Sequence, residues 1–309
     1  MKICVQTAGI PYDFGVKEGY KMIREAGFEG VDWNIDMQLR NGNIERNDCA
    51  GNVFEKPLDE MLAYYAADLE AIRENGLTIT QAHAPFSFYN NKPGNAPREY
   101  MSMIYQNVIR LCDAVGCRNV VIHGASRART DEHTAEEIAE INKWMYESLI
   151  PVLKETNVTV CLENLPIARG GVLGGHCCNP YDAIREIDEL NEKAGKECFG
   201  LCLDVGHLNL VGLDPRTYIR TLGKRIKALH IHDNDGVSDQ HKAPYTGTIV
   251  WRHLYEALAE IDYEGDLAFE TFRQTDVNVI GDKEMTMPWL RMIAQIGKFF
   301  RIKIKELQA

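Results

Sequence analysis

Six short apolar runs in this chain of 309 residues each lead into a side chain that can bind a metal: QAHAP, VVIHG, VCLEN, LCLDVGH, ALHIHD and LAFET. Their ligand-type residues are His83, His123, Glu163, Asp204, His230 and Glu270. Four of the five gaps between them are 40, 40, 41 and 40 residues; the fifth, from Asp204 to His230, is 26. One strand, one helix and two loops fill such a period. Each ligand therefore occupies the same place in a repeated unit, and strands alternating with helices imply a parallel sheet with helical crossovers.

The spacing predicts eight strands, near Ile3–Gln6, Gly30–Asn34, Thr78–His83, Asn119–His123, Thr159–Glu163, Gly200–Asp204, Lys227–His230 and Asp266–Glu270. Helical patterns are predicted between them, at Glu60–Asn75, Arg98–Val115, Ala135–Lys154, Tyr181–Ala194 and Arg252–Ile261, with a closing helix near Met287–Ile302. Gly27, Gly76, Gly116 and Gly195 follow helical stretches, where a left-handed residue ends a helix at little cost. The expected fold is a single α/β domain over residues 1–309, a (β/α)8 TIM barrel, which takes ~250 residues before insertions. Two segments exceed the plain unit. Asp36–Pro57 after strand 2 is polar and rich in Asn and Gly, either a functional lid or a decorative insertion. Asn234–Thr248 after strand 7 carries further ligand-type residues.

Composition excludes several classes. No apolar run approaches the ~20 residues that cross a bilayer, and MKICVQTAG enters a strand directly without the pattern of a secretory signal. A net charge of -11 argues against a nucleic-acid partner, because binding DNA means neutralising phosphates with Lys and Arg. Nine cysteines, several inside strand patterns and none in CxxC spacing, fit a reducing cytoplasm better than a disulfide scaffold. The HCC at His176–Cys178 is read as an incidental loop cluster in preference to a soft metal site.

A single histidine at a strand end is usually packed against a backbone carbonyl. Six ligand-type residues at equivalent places are harder to explain that way, since carboxylates and imidazoles packed together lose hydration and repel. A divalent cation removes that cost. Glu163, Asp204, His230 and Glu270 offer three carboxylates and an imidazole, which suit Mn, Mg, Co or Zn better than a thiolate-preferring ion. Ligands on four adjacent strands would leave coordination positions open for substrate, the mark of a catalytic metal. His207, three residues past Asp204, contacts substrate, binds a further metal or caps the next segment. His232 supports His230 or ends a solvated strand. Asp239 and His241 form a D-x-H pair that is either solvated or ligating. Arg127, Arg129, Arg169 and Arg273 follow strands, where a guanidinium fork can grip phosphate; surface charge is the plainer reading.

HAPF at His83–Phe86, VIHG at Val121–Gly124, LEN at Leu162–Asn164, LDVGH at Leu203–His207, HIHDND at His230–Asp235 and FET at Phe269–Thr271 carry a family resemblance. Together they make the chain similar to the xylose isomerase-like barrel superfamily. That group holds sugar isomerases, ketose 3-epimerases, inosose dehydratase-type enzymes and trinuclear-zinc apurinic endonucleases. In the isomerase and epimerase branch the resemblance implies one divalent metal on Glu163, Asp204, His230 and Glu270. It also implies a proton-moving pair in Glu163 and Glu270, and substrate contact through His207. In the endonuclease branch it implies three zincs on His83, His123, Glu163, Asp204, His207, His230, Asp239, His241 and Glu270.

The leading expectation is a metal-dependent isomerase or epimerase of a small sugar or sugar phosphate, working through an enediolate. An abasic-site phosphodiesterase using zinc is the alternative, and zinc is expected if more than one metal binds. A binding protein on the same barrel is the third class, since fold does not fix function. No membrane partner is expected, and assembly with like chains stays open.

Overall fold

Runs such as VVI, VCL and LCL are apolar on both faces, so they are stable only where both sides of a sheet are covered. The structure, a computed structural model describing residues 1–86, 94–125, 133–168, 172–275 and 282–309, realises all eight predicted strands. They are β1 (Ile3–Gln6), β2 (Gly30–Asn34), β3 (Thr78–His83), β4 (Asn119–Val121), β5 (Thr159–Glu163), β6 (Phe199–Asp204), β7 (Ile226–His230) and β8 (Leu267–Phe269). Their order in the sheet is β8-β1-β2-β3-β4-β5-β6-β7.

Pairing is parallel where Ile3 faces Leu267, Cys4 faces Gly30, His83 faces Val121 and Val121 faces Cys161. The two ends of that order meet through a parallel bridge between Ile231 and Phe269. There the Ile231 N–H donates to Ala268 O at 2.9 Å and the Glu270 N–H donates to Ile231 O at 3.1 Å. The architecture is the expected (β/α)8 barrel.

Eight principal helices accompany the strands: α1 (Val16–Ala26), α2 (Ala66–Glu74), α3 (Arg98–Ala114), α4 (Ala135–Glu155), α5 (Pro180–Ala194), α6 (Pro215–Leu222), α7 (Trp251–Glu260) and α8 (Lys283–Gln308). Their starts are chemically marked. Thr134 and Glu137 form a reciprocal capping box on α4, and Asn179 accepts from the Tyr181 N–H ahead of α5. The helix expected over Glu60–Asn75 is two, Leu58–Tyr64 and α2, parted at Tyr65. An antiparallel hairpin of Pro166–Ala168 and Val172–Gly174 follows β5, where no strand was predicted. No helix among the described residues is long and apolar enough to cross a membrane.

Contacts divide the chain into two compact units. The first comprises Met1–Trp33, Ala67–Thr80 and Cys202–Ala309. Its core stacks Phe300 of α8 on Trp251, ring centroids 5.5 Å apart, and on Phe269. The second comprises Asn34–Ala66 and Gln81–Leu201. Here the polar segment after β2 is not a bare loop. It buries Ile44 and Phe54, and Phe54 O accepts from Asn107 Nδ2 of α3 at 2.8 Å.

In the first unit α8 lies close against the sheet at Gly297. A Cβ there would lie 2.5 Å from Ile3 Cγ2 and 2.8 Å from Phe269 Cε2. Gly297→Val should therefore destabilise the fold by about 1–3 kcal/mol through overpacking. The midpoint of urea unfolding measures it, and an unshifted midpoint contradicts so close an approach.

Candidate metal centre

The strand ends carry the predicted donors. His83, Glu163, Asp204 and His230 are the last residues of β3, β5, β6 and β7. Glu270 lies one residue beyond β8 and His123 two beyond β4, so both expected strands end sooner than predicted.

In the first unit, Asp204 caps the short helix Val205–Leu210, its Oδ1 accepting the His207 N–H at 2.7 Å. This turn brings His207 Nδ1 to 3.5 Å from Asp204 Oδ2, and His207 Nε2 to 3.5 Å from Asp239 Oδ2. His241 Nε2 lies 3.0 Å from the same Asp239 oxygen. His232 is fully buried, with Nε2 3.0 Å from the Asp204 carboxylate and its ring stacked on His241 at 4.0 Å. The donor atoms of His207, His232, Asp239 and His241 all fall within 4.8 Å of one another. His230 takes another direction: its Nε2 is 3.1 Å from Asp32 Oδ2, and its Nδ1 is 3.5 Å from Glu270 Oε2 and 4.0 Å from Asp204 Oδ2.

The loop after β7 is held by one carboxylate. Asp233 is fully buried and accepts from the Asn234, Gly247 and Ile249 N–H groups and from Trp251 Nε1, all at 3.0–3.2 Å. Those four bonds fold Asn234–Thr248 back and leave Asp239 and His241 beside His207. Gly206 is equally constrained, because a Cβ there would sit 2.0 Å from His232 Cε1. The glycine of LDVGH thus makes room for an imidazole.

Charge follows from this crowding. Burial disfavours a charged His241, but the carboxylates of Glu270, Asp239 and Asp204 outweigh it and raise its pKa from 6.5 to about 9. Burial pushes the Asp239 carboxyl up, yet hydrogen bonds from His207 and His241 hold it far below the usual range. A proton on His241 thus balances the carboxylates around it, and a divalent cation could do the same. The donor set fits one.

The second unit holds a smaller group. His83 Nδ1 lies 2.8 Å from the Ala84 carbonyl, which can only accept, so Nδ1 carries a proton and donates it there. His83 Nε2 is 3.1 Å from His123 Nε2 and 3.8 Å from Glu163 Oε2, and His123 Nε2 is 2.9 Å from the same oxygen. Phe86 packs against both rings, edge-on to His83 and stacked on His123. Two imidazoles and a buried carboxylate around one small volume are again a cation-binding set.

Of the arginines, Arg273 is exposed, with its guanidinium 5.8 Å from the Phe272 ring centroid; Phe272 in turn packs on His241 at 4.3 Å. Arg127, Arg129 and Arg169 lie outside the described residues. His232, expected to support His230 or to end a solvated strand, is buried against Asp204, and Asp32, which the sequence reading did not single out, meets His230. The signal for His232 was present: His230 and His232 are two apart in extended chain and share a face.

Fold and donors together define a (β/α)8 barrel with side chains at its strand ends that could hold a metal ion. The chain belongs to the xylose isomerase-like TIM barrel family, whose model matches residues 20–293. The uncharacterized protein y4fM of Sinorhizobium fredii is 26% identical over 271 residues, 84% of this chain and 82% of that one. The D-psicose 3-epimerase of Ruminiclostridium cellulolyticum is 26% identical over 204 residues, 64% of each chain. The crystal structure of a D-tagatose 3-epimerase-like protein matches at a TM-score of 0.71 and 20% identity, covering 100% of both chains.

A histidine raised to about 9 stabilises the fold fully below its unfolded value of 6.5, and that contribution is lost as pH rises through 9. In chelator-treated protein the melting temperature should therefore fall across this window. His241→Gln should flatten the fall; an unchanged slope in the variant would rule His241 out as its source.

Proposed function

We propose that the chain, read as one catalytic barrel over residues 1–309, is a divalent-metal-dependent epimerase or isomerase of a small sugar or sugar phosphate. The observation that carries this reading is a pair of buried carboxylates at strand ends, Glu163 and Glu270, each beside imidazoles. The likeness to a D-psicose 3-epimerase supports the substrate class. In barrels of this kind the C-terminal strand ends share one mouth, where catalytic groups gather.

Glu163, Asp204 and Glu270 would hold the cation together with one imidazole of the HIH pair. The distances favour His232, 3.0 Å from Asp204, over His230, which faces Asp32 at 3.1 Å. Bound there, a divalent ion supplies Lewis acidity toward a carbonyl and a neighbouring hydroxyl. Glu163 and Glu270 exchange a proton with the carbon next to the carbonyl, one removing it and the other returning it, through an enediolate. Their burial keeps bulk water from competing for that proton. His207 is placed to accept or donate a hydrogen bond to a substrate hydroxyl, and exposed Arg273 to meet a phosphate if the sugar carries one.

A second reading has an observation of its own. His83, His123 and Glu163 form one donor group, while His207, His232, Asp239 and His241 form another. That multiplicity suits more than one zinc, as in an abasic-site phosphodiesterase. Elemental analysis of protein carrying Cys177→Ser, which leaves the strand-end donors intact, separates the readings: about one metal per chain supports the sugar enzyme, and three zincs with incision of an abasic duplex support the other.

Glu163→Gln should cut turnover of a ketose that the wild type epimerises by ~10²-fold or more. Retained turnover in that variant, as followed by product chromatography, would eliminate the two-glutamate mechanism. His232→Asn should weaken Mn²⁺ binding at least as much as His230→Asn in calorimetric titration; the reverse ranking returns the ligand role to His230.

A further inference from the structure

We infer that His176, Cys177 and Glu186 form a separate binding site in the second unit for a thiophilic divalent cation, zinc being the best fit. The three donors are a ring nitrogen, a sulfur and a carboxylate oxygen, mutually within 4.8 Å. His176 Nε2 lies 2.9 Å from Glu186 Oε2 and 3.6 Å from Cys177 Sγ. Around tetrahedral zinc, with bonds of about 2.0 Å to nitrogen and about 2.3 Å to sulfur, the N···S edge is about 3.6 Å. Cys177 Sγ stands 3.6 Å from both ring nitrogens, beside the ring, so the thiol turns about its Cα–Cβ bond to share a cation with Nε2. The N···O edge needs to open by about half an ångström, which Glu186, partly exposed on α5, has room to do.

His176 is fixed in place. A Cβ on Gly124 would fall 2.3 Å from its Nδ1, so the ring lies directly on that glycine. Tyr146 stacks with the same imidazole, the planes 16° apart and the centroids 5.9 Å. The packing thus holds one ligand still, with its Nε2 turned to Glu186 and Cys177 beside the ring. A cavity of about 640 Å³ borders all three donors, giving an entry path and space for a fourth ligand. Its lining has five acidic residues against two basic ones, which concentrates cations locally.

The consequence is a staple. The Leu165 N–H donates to His176 O at 2.9 Å, and the Gly175 N–H to Leu165 O at 2.8 Å, so this loop returns to the chain two residues past Glu163. A cation shared with Glu186 ties the loop to α5. On binding, the Cys177 S–H bond breaks, the proton leaves to solvent and a metal–sulfur bond forms, with no change of oxidation state. The site is independent of the strand-end donors proposed above, which contain no sulfur.

Cobalt tests it, because a thiolate ligand gives Co²⁺ a near-ultraviolet charge-transfer band that oxygen and nitrogen ligands do not. Chelator-treated protein titrated with Co²⁺ should show the band, and Glu163→Gln should keep it even if sugar turnover is lost. Cys177→Ser should abolish it and lower zinc content by one per chain, whereas Cys178→Ser and Cys202→Ser should retain both. Glu186→Gln, a change on a partly exposed helix position, should keep the band and weaken Co²⁺ at least ~tenfold. Absence of the band in the wild type, its persistence in Cys177→Ser, or an unchanged affinity in Glu186→Gln overturns the site.

Discussion

A carboxylate or imidazole taken out of water must find a compensating charge or hydrogen bond, and this chain removes many at once. In the first unit Asp32, Asp204, His230, His232 and Asp233 are all essentially buried. They survive burial by pairing: Asp204 with a helix N–H and an imidazole, Asp32 with His230, Asp233 with three backbone N–H groups and an indole. Such pairs are weak as sources of stability but strict about geometry, because losing one partner leaves the other exposed to the full desolvation cost. The backbone around them must therefore be held closely.

Asp233 shows how. Its two oxygens collect four donors and convert a fifteen-residue polar stretch, Asn234–Thr248, into a fixed arm. Gly206 and Gly247 add the clearance: one lies under His232, the other against Asp233 and the Asn234 carbonyl. Donors from a strand, a helix turn and a loop come together only because small residues permit the approach.

The barrel was legible because its signal is repeated. Ligand-type residues at near-equal spacing marked six strand ends, two of them one or two residues late, and alternation with helical patterns supplied the other two strands. What escaped was local. The break at Tyr65 lies inside an otherwise helical pattern, and the hairpin Pro166–Ala168 with Val172–Gly174 has strands of only three residues. Asp32 is one acidic residue within GVDWN, and nothing in that run says that it meets His230, 198 positions away. Partners so distant in sequence leave no pattern in either segment alone.

The HIH pair is where pattern and geometry come closest to conflict. Two histidines on one face of an extended segment are equivalent by periodicity, and the strand-end rule selects His230, the last residue of β7. Surroundings break the tie. Asp32 engages His230 on the strand side, while His232, one step past the Ile231–Phe269 bridge, meets Asp204 and stacks on His241. A carboxylate beside one imidazole and a glycine that admits the next give two identical side chains different surroundings. The same logic separates the HCC loop from an incidental cluster. A histidine clamped between a glycine and a tyrosine ring has lost its rotamer freedom already, so a cation recruiting it meets less of the ordering cost that a loose loop would impose.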